Sequence, residues 1–270
     1  MAEHQHRPQW QLPTGVSRGL WDYTQSTVVA EDYDDFFAYT SLFSFDEQVI
    51  LDELEQNGQL EDLIADLGCG TGRALETLCT AGYRGLAVDF SWPMLKVIKQ
   101  KIKKADLPIH CVRANLVELD ALAINSVDHC ICLFSTLGMI QGRENRRQAL
   151  QHMARITRSG GSCVLHIHNV WFNFYDPGGP WWLLKNIVRS CFSKNLEMGD
   201  KTFGYRGVPN MFLHVFRWQE IKKDLRLAGF RIKKVIPLHS TRQHGLKHRW
   251  WIPNLRANGW IIVARNRDCL

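Results

Sequence analysis

Ile64-Ala-Asp-Leu-Gly-Cys-Gly-Thr-Gly-Arg73 decides the reading of this chain. Leu63 to Leu67 is a short apolar run of the kind that forms a strand buried on both faces of a parallel sheet. It breaks into Gly68, Gly70 and Gly72, three glycines at alternate positions that let the backbone turn sharply and approach a ligand closely. A helical pattern follows from about Arg73 to Ala81 and stops at Gly82, and the free amide N–H groups of its first turn belong at that glycine turn. Asp66 stands at the strand's end beside the glycines, where a pyrophosphate is repelled and an ammonium or hydroxyl group is held. This argues against an ordinary dinucleotide site. A second short run, Gly85-Leu-Ala-Val-Asp89, also ends in an acid, about 20 residues after the first glycines, where a carboxylate accepts both hydroxyls of an adenosine ribose.

With Asp66, the three glycines and Asp89 in hand, the sequence resembles the class I S-adenosylmethionine-dependent methyltransferases over roughly residues 60 to 170, and more loosely to the C-terminus. The resemblance implies S-adenosyl-L-methionine as cofactor. It implies that Gly68, Gly70 and Gly72 border the methionine part, that Asp66 lies near the amino group and that Asp89 holds the ribose. It further implies Phe90 against the adenine, and Asn115 and Leu116 at the adenine edge, with Asn115 standing where Asp is more usual. An amide can still meet that edge by hydrogen bonds. Phe134, after the fourth strand, completes the cofactor-binding set.

A chain of 270 residues can form one sizeable core. We expect a single domain over 1–270: an aromatic N-terminal cap at about 21–60, a core at about 61–169 and 218–270, and a lid-like insert at about 170–217. The start carries no apolar signal segment and no run reaches the length of a membrane span, so the reading is of a cytoplasmic protein without a transmembrane segment. The 8 Cys include no Cys-x-x-Cys pair and read as free thiols rather than disulfides or zinc ligands. Charge is divided unevenly. Residues 151–270 hold 20 Lys and Arg against 6 Asp and Glu, leaving 13 against 21 in the first 150. An acidic first half suits a sulfonium cofactor and a basic second half suits an anionic acceptor.

Along the chain, residues 1–20 read as a loose tail, and Trp21 to about Leu54 as helices rich in aromatic and acidic residues, among them Tyr33, Tyr39 and Phe43. In the resembled family such a segment covers the cofactor, and Tyr33 or Trp21 could close the sulfonium pocket by a cation–π contact. Further elements are a helix from Trp92 to about Lys104, strands Ile109–Arg113 and His129–Phe134, a helix from about Gln141 to Arg158 and a strand Cys163–His168. A helical stretch from Trp181 to Phe192 follows, with Trp181, Leu184, Ile187, Val188 and Cys191 on one face and Lys185, Arg189 and Lys194 beside them. A lid packed on the sheet or a membrane-surface helix would account for it. Met211–Phe216 is extended, Trp218–Ala228 helical, and Arg231–Pro237 with Gly259–Arg265 an antiparallel pair. The fold class is therefore α/β, a doubly wound, mostly parallel seven-stranded Rossmann-like sheet with helices on both faces and an antiparallel last strand.

Methyl transfer from a sulfonium is an in-line displacement with an activated donor, so alignment and exclusion of water dominate and a base is needed only when the acceptor must lose a proton. His168, near His166 and Asn169 at the end of the fifth strand, is the candidate base, and no metal site is expected. Tyr205, Arg206, Asn210 and His214 are candidates for orienting an acceptor. The run Phe134-Ser-Thr-Leu-Gly-Met-Ile140 lacks the Asn/Asp-Pro-Pro-aromatic motif of enzymes that methylate exocyclic amines, and no Pro-Cys pair offers a nucleophile for cytosine. The first reading is methylation of O, N or C of a small, anionic metabolite. Its alternatives are a tRNA-modifying methyltransferase using the basic C-terminal half, where the run Arg242–Trp251 can track phosphates and stack bases, and a non-catalytic cofactor-binding protein. Oligomeric state is left open.

Overall fold

The computed structural model describes residues 8–38, 40, 43–193, 196–248 and 250–267. Tyr39, Lys194, Arg249 and Cys269, which entered the sequence reading, lie outside the described residues.

Nine strands are present among these residues: β1 Leu63–Leu67, β2 Arg84–Asp89, β3 Ile109–Arg113, β4 His129–Cys132, β5 Ser162–His168, β6 Asp200–Tyr205, β7 Val208–His214, β8 Phe230–Pro237 and β9 Gly259–Asn266. Seven form one sheet in the order β3-β2-β1-β4-β5-β9-β8. The first five run parallel, and β9 lies antiparallel to both β5 and β8. Strand order reverses between β1 and β4, and in open sheets of this kind ligands sit in the crevice outside the strand ends at that reversal. Both sheet faces are buried. Ala65, Leu67, Cys130, Leu165 and Ile262 face one core with the helix Arg143–Ile156, while Ile64, Ala87, Ile131, Val164 and Ile261 face a second core with the helices Ser44–Asn57 and Arg73–Thr80. Continuous apolar strands are what this two-sided burial demands. The described cysteines are free thiols.

Three segments differ from the sequence expectation. The fourth strand stops at Cys132 rather than Phe134, because Phe134 and Ser135 adopt left-handed backbone (φ 53° and 59°) and turn the chain across the strand ends. Ser135 N–H donates to the His166 carbonyl at 2.8 Å and fixes that turn.

The loose tail expected at residues 1–20 is, from Thr14 onward, part of the structure. Asn115 Nδ2 donates to the Thr14 carbonyl and Gln141 N–H to the Gly15 carbonyl, and a helix starts at Arg18 with Ser17 as its cap. Gly19 lets that helix lie directly on β7, since a Cβ there would stand 2.4 Å from the Asn210 carbonyl oxygen.

The insert contains the expected helix, Gly179–Phe192, with much of its expected apolar face turned outward. Its buried side is Gly179, Leu183 and Asn186; Asn186 bonds to the Asp200 carbonyl and the Gly199 N–H, and Leu183 packs with Val170, Leu213 and Val215. Trp181, Leu184 and Val188 are exposed. The β6–β7 hairpin follows, where the sequence pattern gave only one extended segment.

A buried ionic network ties this hairpin to the core. His214 bonds to Asp200 at 2.7 Å and to Glu220 at 2.9 Å, and Arg146 bonds to Glu197 at 2.8 Å. His214 is thereby structural rather than acceptor-orienting. Burial pushes its pKa down, but the bonds to Asp200 and Glu220 outweigh this and leave it raised. Glu197, His214 and Glu220 bring three ligand atoms within 4.8 Å of one another, yet Arg146 already supplies the positive charge that a cation would bring there.

Candidate active site

The three alternate glycines all take positive φ: 84° at Gly68, 55° at Gly70 and 75° at Gly72. Each has its own reason. A Cβ on Gly68 would stand 2.2 Å from Thr136 Cγ2, and one on Gly72 would stand 2.8 Å from Ile98 Cγ1. A Cβ on Gly70 meets nothing within 4 Å, because Gly70 faces an open cleft. Thr71, between them, donates to Asp34 at 2.6 Å and so ties the turn to the N-terminal cap.

That cleft offers about 1200 Å³ of space, open solvent at its mouth included. The sequence-derived residues Asp66, Gly68, Gly70, Asp89, Phe90, Asn115, Leu116 and Phe134 all line it; Gly72 and His168 do not, and His166 lies behind the wall formed by Asp46 and Phe134. Gly72 is spent on packing against the helix Trp92–Ala105. Tyr33 is in the wall, whereas Trp21 stands behind it, its ring centroid 5.8 Å from that of Phe90. Val16, Leu20, Tyr23, Met139 and Ile140 supply apolar wall that the sequence reading did not assign.

Two carboxylates form the floor. Asp89 accepts from Gly70 N–H at 2.8 Å and from Ser91 N–H at 2.7 Å, so the acid at the end of β2 also holds the glycine turn. Burial raises it to about 6, against the pull of those backbone donors. Asp66 is pushed up to about 8 by burial, reinforced by the Asp89 charge. Such carboxylates await a cationic partner. Asn115 is already engaged at both ends of its amide, donating to Thr14 and accepting from Val117 N–H, and through this pair it pins the chain start over the cleft.

Arg73 adds the opposite charge. It is the first residue of the helix after the glycines, lines the cleft, and carries a buried Nη2 without a hydrogen-bond partner, while its guanidinium carbon sits 3.1 Å from the Phe43 ring centroid. Its place directly after the glycine motif was the available signal.

Toward the other end a row of rings runs Phe43, Phe134, His166, His168, with successive centroids 4.0, 5.3 and 5.5 Å apart. Asp46, on the cap helix and in the cleft wall, bonds to His166 Nδ1 at 2.5 Å. His166 Nε2 and Asp46 Oδ1 are both buried without partners. His168 lies one ring further away. Burial, then His166, Arg242 and Lys201, hold its pKa well below the ordinary histidine value, so it is neutral. Asp46 and His166 stand 120 positions apart in sequence, and no local pattern links them.

Residues 64–161 match the model of the methyltransferase-domain family. This stretch is a class I S-adenosylmethionine-dependent methyltransferase domain. An uncharacterised protein of Methanocaldococcus jannaschii is 26% identical over 166 residues, 62% of this chain and 56% of that protein. The chain spans about half the length of the curated relatives it matches. A methyltransferase structure from Methanosarcina mazei shares the fold with a TM-score of 0.64 at 17% identity, covering 79% of this chain and 96% of that one. The 1,6-didemethyltoxoflavin-N1-methyltransferase of Burkholderia thailandensis, solved with S-adenosylhomocysteine, gives 0.59 at 14% identity over 89% of this chain and 85% of that one.

S-adenosylmethionine is the cofactor of such a domain, and the methyltransferase cleft fits it on three observations. The open face of Gly70 admits a ligand at the backbone, the buried Asp66 and Asp89 suit an ammonium and ribose hydroxyls, and the unpartnered Nη2 of Arg73 suits an α-carboxylate.

Proposed function

We propose that the protein transfers the methyl group of S-adenosylmethionine to O, N or C of a small, anionic acceptor. The observation that carries this reading is the cleft itself, with buried carboxylates and an open glycine turn at one end and, at the other, Asp46 in the wall bonded to His166 behind it, whose Nε2 has no partner. The cofactor supplies an activated methyl group on a positively charged sulfur. The chain's own tasks are then alignment, exclusion of water and, for an acceptor that carries a proton, its removal.

Phe134, held in left-handed backbone, and Phe43 wall the passage between the two ends and keep water from the reacting atoms. His166 takes the proton at Nε2, and Asp46 at Nδ1 steadies the imidazolium that results. An anionic acceptor is supported by Lys201 and Arg242. Burial lowers the pKa of both, both act on His168, and Lys201 Nζ is held by Asn173 at 2.7 Å.

The test begins with calorimetric titration by S-adenosylmethionine, S-adenosylhomocysteine and NAD. Micromolar binding of the first two alone is expected, and failure of both in folded protein would remove the reading. A screen of carboxylate and phosphate acceptors follows. tRNA modification is the second reading, favoured by exposed Trp250 and Trp251 beside Lys247. tRNA affinity falling steeply with salt would support it.

A further inference from the structure

A surface helix in a folded protein ordinarily turns its apolar side inward. Gly179–Phe192 does so only with Leu183 and, in part, Trp182, and leaves a second apolar stripe outside. Its inward side carries an amide, Asn186, hydrogen-bonded to the 199–200 backbone, while Trp181, Leu184, Val188 and Phe192 face outward. Their spacing of three, four and four residues makes one stripe along the helix. The ends of the stripe are the most open, with Trp181 60% and Phe192 88% exposed. Lys185 and Arg189 are exposed beside it, and Lys185 Nζ lies 5.1 Å from the Trp181 ring centroid.

The stripe has neighbours. The helical turn Val170–Tyr175, which leaves the end of β5, packs against this helix and against the short helix Pro253–Arg256. On that turn Phe174 and Tyr175 are exposed, and just before the short helix so are Trp250, Trp251 and Ile252. Arg256 lies 4.9 Å from the Trp251 ring centroid. Two neighbouring segments and a third far along the chain therefore leave large apolar side chains uncovered around one corner, with cations among them. No Asp or Glu occurs in residues 177–196 or 225–267.

We infer that this corner is an interfacial docking surface for an anionic phospholipid membrane. Exposed Trp, Leu, Val and Phe bury at the headgroup–acyl boundary, while Lys185, Arg189 and Arg256 reach anionic headgroups. Charge complementarity selects this occupant. A second copy meeting the stripe face to face would set Lys185 and Arg189 against their own equivalents. A nucleic acid would match the cations and could stack on the Trp rings, but it would leave aliphatic Leu184, Val188 and Ile252 uncovered. The docked face lies beside the end of β5, from which the turn Val170–Tyr175 leaves.

The experiment is co-sedimentation of the full chain with vesicles of phosphatidylcholine, with and without phosphatidylglycerol, at low and high salt, with tryptophan emission as a second readout. Binding to the mixed vesicles with a blue shift, weaker with salt and weaker still on phosphatidylcholine alone, is expected. Leu184→Glu combined with Val188→Glu should lower the bound fraction about tenfold or more. Lys185→Glu with Arg189→Glu should remove the preference for phosphatidylglycerol. Phe192→Ser, at the open end of the helix, should weaken binding by a smaller factor and serves if the double variant does not fold. Unchanged melting and S-adenosylhomocysteine affinity report intact folds. Absence of binding at low salt would overturn the proposal, as would binding that ignores these variants. A concentration-dependent dimer abolished by Leu184→Glu with Val188→Glu would overturn it in favour of a second copy, and tRNA binding lost in the same variant would overturn it in favour of RNA.

Discussion

The two ends of the cleft are built in opposite ways. The floor comes from residues 66 to 91, where Asp66, the glycine turn and Asp89 are joined by backbone hydrogen bonds within one βαβ unit. The far end is assembled from distant places: Asp46 on the cap and Phe134 after β4 in the wall, with His166 on β5, Lys201 on the hairpin and Arg242 in the β8–β9 loop behind it. The floor is acidic and awaits a cation; the far end carries an imidazole, a lysine and an arginine. A cofactor common to many enzymes can be held by a local motif, whereas an acceptor peculiar to one enzyme is met by side chains that loops and insertions bring in.

The comparison is broken most sharply at the far end. His166→Gln should lower kcat by about a hundredfold or more if the acceptor carries a proton, leaving S-adenosylhomocysteine affinity unchanged, while His168→Gln should change kcat only slightly. The reverse ranking in steady-state kinetics would return the role to His168.

At the floor, Asp89→Ala removes the acceptor for Gly70 N–H and the proposed ribose partner, and should weaken cofactor binding by about 1.5–3 kcal/mol, roughly ten- to a hundredfold in Kd. Unchanged affinity by calorimetry would sink that assignment. The two glycines separate packing from binding. Gly68→Ala forces a Cβ into Thr136 at positive φ and should cost about 2 kcal/mol or more of stability, read from denaturant melts. Gly70→Ala meets open space and should cost about 1 kcal/mol of stability while obstructing the cofactor.

A smaller and graded effect is expected with pH. With Asp66 near 8 in the free cleft, binding an ammonium there expels a proton, so cofactor affinity should rise as pH goes from about 6 to 8 and then level off. The same raised value means that the cofactor-free protein loses stability as pH climbs from the ordinary aspartate range toward 8. Asp66→Asn should therefore flatten the affinity profile, weaken binding at pH 8, and raise the melting temperature of the free protein by a few degrees. Calorimetry and thermal melts across pH check all three.

The order of strands, the turn at residues 68 to 72 and the placement of Asp66, Asp89, Phe90 and Leu116 in one cleft were legible in the sequence. Apolar runs, turn glycines and strand-end acids act over a few residues, and the positive φ values at Gly68, Gly70 and Gly72 are the local geometry that such a pattern encodes. Gly72 stands outside the cleft lining, and sequence does not distinguish a glycine that faces a ligand from one that faces Ile98.

The Asp46–His166 pair, the burial of Asn186 and the outward stripe from Trp181 to Phe192 were not legible. Hydrophobic spacing identifies a helix and its apolar side but not the direction in which that side points, and here the amide of Asn186, bonded to the backbone at 199–200, sets the direction. What the sequence determined by itself is what short-range sterics and periodicity control: the α/β alternation, the glycine turn and its acids. What the tertiary structure decided is which distant groups share a site and which apolar faces stay open, because those depend on packing and hydrogen-bond partners brought together only when the chain closes on itself.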